Sequence, residues 1–271
     1  DFIEDMIMKA PSPNIMNKLE RSVLSLYSYD QNPDDLSIDN VLRQSIQLIA
    51  QLPTIMTYAY QVKRRYYLKK SMYLHPIKPE LSTAESILYH TRSNRKFTDE
   101  EAKLLDICLM LHAEHGGGNN SAFATRVLTS SGTDTYSAMA TAIGALKGHK
   151  HGGANLKVSA MFEDIKANIK DWKDDEEVTA YIDKIVKKEA FDKTGLVYGI
   201  GHAIYSYSDP RAQVFKGYVE KLSAEKGLSD EFALYSKVEE IAPALISKQR
   251  KMYKGVSANV DFYSGFCYDM L

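Results

Sequence analysis

The chain reads as a mainly α-helical protein with two domains, and three observations lead there. Over most of its 271 positions apolar residues recur at three- and four-residue spacing, the period at which one face of an α-helix repeats. Helix-start signals stand in front of these runs: a Ser, Thr, Asn or Asp cap, an acidic first turn, or Pro at the first helical position. The strand-like exception is Gly195–Tyr205, GLVYGIGHAIY, where glycine alternates with β-branched and aromatic residues. A chain of this length is expected to form about two domains and to bury roughly three quarters of its unfolded surface.

Hydrophobic residues make up 44% and charged residues 25%, with a formal net charge of -1, the profile of a soluble globular protein. No global field favours nucleic acid or membrane. Cys108 and Cys267 lie far apart and match no metal spacing, so they are expected to be buried thiols in a reducing cytosol rather than a disulfide. No apolar run approaches the roughly 20 residues of a membrane helix, and the acidic start DFIEDMIMKAP lacks the basic and apolar regions of a signal peptide. A cytoplasmic location is expected. The chain opens on Asp1 and stops at Leu271 inside the apolar run FYSGFCYDML, so both ends read as cut and the chain as a fragment.

In order, Ser12-Pro13 starts a helix carrying Ile15, Leu19, Val23 and Leu26, and NPDD then makes a turn. Ile38 to Lys70 keeps helical periodicity across Pro53, which should break or kink it into two helices. Its end, KRRYYLKK at Lys63–Lys70, is the one basic and aromatic cluster. It is read as a solvated face complementing the helix dipole, with nucleic-acid binding as the rival. His75 to Pro79 is a loop. Ser82 caps a short helix to His90, and Thr98 with Glu101 forms a capping box for the apolar helix that delivers His112 and His115 to its end. Asn120 is expected to cap SAFATRVLTSS, a turn at Gly132 leads into YSAMATAIGALKG, and Gly148 stops that helix.

A helix then runs from GHKHGGAN to about Trp172, and DDEEVTAYIDKIVKKE places acidic residues first and basic ones last, as a helix dipole prefers. Gly195–Tyr205 is a loop or short hairpin. Asp209-Pro210-Arg211 starts the next helix, over about Ala212–Lys226, and another spans Ser229–Met252.

Chemistry concentrates in two His/Gly/Asn clusters, HAEHGGGNN and GHKHGGAN, which hold four of the seven histidines. Glycine admits close backbone approach, and neutral imidazole both donates and accepts hydrogen bonds. His112 is read as a core histidine with one backbone hydrogen bond, and His115 as a ligand-binding group; HExxH is absent and neutral residues surround both, which argues against a metal. His151, ahead of a helix, outlines an oxyanion site. GHKHGGAN matches neither phosphate-loop pattern. His202 and Arg211, nine residues apart, suit one carboxylated substrate. Asp261 is either an ordinary helix cap or, beside Phe262 and Tyr263, a desolvated base for a proton on carbon. Spacing leaves both open.

HAEHGGGNNSAFATRV, GALKGHKHGGAN, GIGHAIYSYSDPRA and NVDFYSGF, in this order, closely resemble the citrate synthase family over essentially the whole chain. The resemblance implies a multi-helical fold with a large and a small domain. The large domain would span 1–151, lacking its first part, and the small domain 152–262 with the CoA-binding loop. Residues 263–271 would start a truncated C-terminal helix returning to the large domain. It implies a homodimer that condenses acetyl-CoA with oxaloacetate and hydrolyses citryl-CoA, without metal, permanently bound cofactor, nucleic acid or membrane.

By motif, His151 falls on the histidine that hydrogen-bonds the thioester oxygen, Asp261 on the base that removes the methyl proton, and His202 on the histidine that polarises the oxaloacetate carbonyl. His115 and Arg211 fall on oxaloacetate-holding positions. Val197, Tyr198, Gly199, Ile200 and Gly201 resemble the loop that wraps the CoA adenine, and Lys254 is expected to reach CoA phosphates. Where some members carry a basic residue four places after the loop histidine, this chain has Ser206, and two further oxaloacetate arginines would lie beyond Leu271. The rivals are 2-methylcitrate synthesis from propionyl-CoA, separated by one methylene worth about 1 to 3 kcal/mol, and a non-catalytic helical binding module.

Overall fold

The computed structural model describes residues 2–271 apart from 114–116, 149–150, 203–204 and 252–254. Among them it forms eleven α-helices and no strand, only an isolated antiparallel bridge between Ile200 and Ala258. The chain divides into two compact units, Asp1–His151 and Gly152–Leu271.

The first unit holds α1 (Ile15–Leu26), α2 (Ile38–Tyr66), α3 (Thr83–Thr91), α4 (Asp99–Ala113), α5 (Asn120–Thr129) and α6 (Thr135–Leu146). Its core gathers Leu19, Val23 and Leu26 of α1, Leu48, Ile55, Ala59 and Val62 of α2, and Tyr136 and Ala140 of α6. Ile7 joins them from a π-helical segment, Ile3–Met8, that the periodicity does not announce. The capping box at Thr98/Glu101 and the cap at Ser82 form as expected, and Glu85 completes a second capping box with Ser82. Two starts move. The first helix is capped by Asn14, which accepts the Asn17 N–H at 2.9 Å, while Ser12 instead accepts the N–H of Asn14. Asn119, not Asn120, caps α5 by taking the N–H groups of Ser121 and Ala122.

The break expected at Pro53 does not occur, since α2 is one helix of 29 residues with Pro53 inside it. Proline removes one ladder bond and crowds the preceding turn. Against that cost, Leu48 before it and Ile55, Ala59 and Val62 after it bury in one core, so tertiary packing holds the helix together. Lys63, Arg64 and Arg65 occupy the last turn of α2, where they complement the negative helix end. Asp30 ties the layers: its carboxylate accepts from Arg43 at 2.8 Å, Gln44 at 3.2 Å and the Tyr136 hydroxyl at 2.5 Å. Burial opposes its ionisation, yet these donors hold the carboxyl well below the usual carboxylate range.

Lys18 is expected to make the stability of this unit depend on pH. It is 1% exposed on the inner face of α1, and its Nζ donates to the Ala10 carbonyl at 2.9 Å. Burial, with the charge of Arg21 adding to it, brings its pKa down to about 8. The unfolded chain holds this proton more tightly than the folded one, so the charged ammonium is a standing cost below pH 8. Stability then rises with pH between about 8 and the ordinary lysine value of 10.5. Denaturant titrations are expected to show the wild type gaining on Lys18→Met across that window; a stability difference independent of pH would contradict this.

The second unit holds α7 (Ala154–Asn168), α8 (Asp175–Val186), α9 (Pro210–Glu225), α10 (Ser229–Arg250) and α11 (Val260–Met270). Tyr235 of α10 is stacked between Phe162 of α7 and Phe266 of α11, with Phe262 edge-on to both Phe162 and Tyr235. α7 ends at Asn168 rather than near Trp172, because the Glu177 carboxylate takes the N–H groups of Lys170 and Asp171 at 2.9 and 3.0 Å. Asp209 caps α9 with Pro210 at its first position, as the sequence predicts. The domain boundary expected at Phe262 falls inside α11, which Asn259 caps and which runs unbroken to Met270. Within the second unit α11 packs with α7 and α9. Both cysteines are buried, and no described helix is long and apolar enough to cross a membrane.

Candidate active site

In the second unit Arg211 and the start of the Asp261 helix meet at one buried carboxylate. Asp209, whose side chain is 0% exposed, accepts from Arg211 Nε at 3.1 Å and Nη2 at 2.9 Å. It also takes the backbone N–H of Arg211 at 3.0 Å and, across 51 residues of sequence, that of Val260 at 3.2 Å. Burial works against ionisation, but the hydrogen bonds and charge of Arg211, with His202 adding to them, hold the Asp209 carboxyl below its ordinary range. The guanidinium plane is thereby fixed, and so is the first turn of α11. Asp261 sits in that turn, half-buried, with its N–H donated to Asn259 Oδ1 at 2.9 Å. The cap is Asn259, so the helix-cap reading of Asp261 is set aside.

His202 and Arg211 are brought together by a residue that sequence reasoning missed. The Tyr205 ring lies 4.9 Å from the His202 ring, and the Arg211 guanidinium carbon stands 5.4 Å from its centroid. The Tyr205 N–H donates to His202 Nδ1 at 3.2 Å, so a neutral imidazole there carries its proton on Nε2. An aromatic residue three places after a loop histidine is the one signal that marked Tyr205.

The Val197–Gly201 segment is a loop, one of the two expected forms, and makes no hairpin of its own. It pairs with Ser257–Asn259: Gly201 N–H donates to Ser257 O at 2.7 Å and Asn259 N–H to Gly199 O at 2.8 Å. Gly199 and Gly201 take φ values of +81° and +106°, backbone that side chains with a Cβ rarely adopt. Val197 is buried, and the Tyr198 hydroxyl donates to Asp192 at 2.7 Å beside Lys157.

His151 belongs to the first unit. Its Nε2 hydrogen-bonds Ser121 Oγ on α5 at 2.9 Å, and its N–H donates to Gly148 O at 2.9 Å. Ser121 is the second partner that sequence reasoning missed; the asparagine cap just before it gave no hint of the contact. His112 makes the expected backbone hydrogen bond, from Nδ1 to Cys108 O at 2.8 Å, but it is exposed rather than a core residue. His115 and Lys254 lie outside the described residues. Among the described residues no three His, Cys, Asp or Glu side chains gather in a way that could hold a metal ion. A cleft of about 1160 Å³ between α8, α9 and α10 contains none of the candidate residues. It is bordered by ion pairs such as Lys216–Glu239.

The family model described as "Citrate synthase, C-terminal domain" matches residues 1–271. The chain is 34% identical over 257 residues to the citrate synthase of Deinococcus radiodurans, covering 94% of this chain and 61% of that one. With the citrate synthase of Acidithiobacillus ferridurans it is 35% identical over 263 residues, covering 93% and 61%. It thus spans about three fifths of the length of these relatives. Among solved structures it resembles the Thermoplasma acidophilum citrate synthase in its ternary complex with carboxymethyl coenzyme A and oxaloacetate. That match has a TM-score of 0.79 and 26% identity, over 100% of this chain and 65% of that one. A helical fold in which Asp209 binds Arg211 and the start of the Asp261 helix, together with a family match from end to end, means that this chain belongs to the citrate synthase family.

Proposed function

We propose that the protein containing this chain condenses acetyl-CoA with oxaloacetate and hydrolyses the resulting citryl-CoA to citrate and CoA. The observation that carries this reading is the Asp209 knot, which keeps a base candidate, a guanidinium and an imidazole in one neighbourhood. Asp261 takes a proton from the acetyl methyl group as His151, oriented by Ser121, donates a hydrogen bond to the thioester oxygen on which charge develops. The enol or enolate carbon then bonds to the oxaloacetate carbonyl carbon, as His202 polarises the carbonyl and protonates its oxygen. Water finally cleaves the thioester and releases CoA. Carbon deprotonation needs an acceptor on one side and donors on the other, and these residue types divide the work that way.

Arg211 and His115 hold the oxaloacetate carboxylates, and Val197, Tyr198, Gly199, Ile200 and Gly201 with Lys254 hold the CoA moiety, acetyl-CoA acting as a co-substrate. The protein works in the cytoplasm as a homodimer, with a large domain up to His151 and a small domain after it. Phe123 and Val127, one turn apart on α5 and 57% and 53% exposed, support self-association through that helix.

Thioester cleavage by the full-length protein, followed with oxaloacetate present, tests the reading. Acetyl-CoA is expected to be turned over with a kcat/KM roughly tenfold or more above that for propionyl-CoA, in line with the 1 to 3 kcal/mol a methylene contributes. A preference for propionyl-CoA would assign 2-methylcitrate synthesis instead.

A further inference from the structure

We infer that Asn259 is a positioning residue that registers the Val197–Gly201 loop against Asp261, so that one carboxamide sets both where the thioester lies and where the base stands. This rests on the citrate synthase reading. Asn259 uses both ends of its amide in opposite directions: Oδ1 accepts the Asp261 N–H at 2.9 Å, and Nδ2 donates to the Gly201 carbonyl at 2.8 Å. The two partners fix the orientation of the amide, because a backbone N–H requires oxygen and a carbonyl requires nitrogen. Its own N–H donates to Gly199 O at 2.8 Å, and the Ile200–Ala258 bridge lies between these bonds. A Cβ on Gly199 would come within 2.8 Å of Phe262 Cα, so the loop rests directly on the first turn of α11.

Capping alone does not require asparagine, since Ser and Asp cap helices about as well. Ionised Asp has no donor, and the single hydroxyl of Ser is too short to accept at the cap and also reach the Gly201 carbonyl. A shift of the loop with the CoA moiety would be transmitted to Asp261 through a single planar group, and the two could not drift apart while both bonds hold.

Asn259→Asp and Asn259→Ser in the full-length protein separate the roles. Both keep the cap acceptor, and both lose the Gly201 bond; Asp adds repulsion toward that carbonyl and Ser does not. The expected result is a KM for acetyl-CoA raised roughly tenfold, the change that about 1.4 kcal/mol produces. The KM for oxaloacetate and the thermal midpoint should stay close to wild type. Amide hydrogen exchange is also expected to quicken at Gly201 and Asn259. Wild-type acetyl-CoA KM in both variants, or unchanged exchange at those amides, would reduce Asn259 to a helix cap and overturn the inference. If the wild type makes no citrate, the functional reading fails, and the exchange measurement still decides whether Asn259 registers the loop.

Discussion

Replacing Asp261 by Asn in the full-length protein is expected to lower turnover about 10²-fold or more while oxaloacetate binds nearly as before. The amide keeps the shape of the carboxylate and its place in the first turn of α11, where Asn259 holds its N–H, but it does not take a proton from carbon. The loss should appear in kcat, and the solvent exchange of the acetyl-CoA methyl protons should vanish with it. Turnover close to wild type would mean that Asp261 serves only the helix start, and the base would have to be sought elsewhere.

The second large effect is structural. Asp209→Ala is expected to destabilise the second unit by about 3 to 5 kcal/mol, because it removes the buried carboxylate to which the Arg211 guanidinium donates. That is a large share of the roughly 5 to 15 kcal/mol by which a domain is usually stable. Arg211 is 6% exposed and Asp209 0%, so solvent cannot replace the lost bonds. Asp209→Leu combined with Arg211→Met should recover much of the stability, since apolar side chains of similar volume carry no desolvation cost, yet it should not restore oxaloacetate binding. Urea titrations of the two variants test this, and a cost below about 1 kcal/mol for Asp209→Ala would show the pair to be weakly coupled to folding. The same carboxyl is held below its ordinary range. Its contribution is therefore present at neutral pH and is lost as the pH falls below the usual carboxylate range through the folded-state value.

Helix starts were legible at Ser82, Thr98/Glu101 and Asp209/Pro210, but not at Asn14 or Asn119, where a neighbouring Ser or Asn offers a second cap. Pro53 misled because the local cost of proline is visible in the sequence, while the core that Leu48 and Ile55 share is not. For the same reason Gly195–Tyr205 showed its strand-like alternation without its partner, since Ser257–Asn259 lies more than fifty residues on. The motifs marked His151, His202, Arg211 and Asp261 individually. Ser121 beside His151, and Tyr205 between His202 and Arg211, are relations that only the folded chain creates. Asp209 was read as a helix cap, which it is; its bond to Val260 makes it the junction of the site as well.

The proposed reaction joins the methyl carbon of a thioester to oxaloacetate through a new carbon–carbon bond. Incubating the full-length protein with methyl-¹³C acetyl-CoA and oxaloacetate, and following the label by NMR, tests it most directly. Labelled citrate with ¹³C in a single methylene, formed in step with free CoA and only when oxaloacetate is present, is the predicted result. Release of CoA with the label ending in acetate, whether or not oxaloacetate is added, would contradict it.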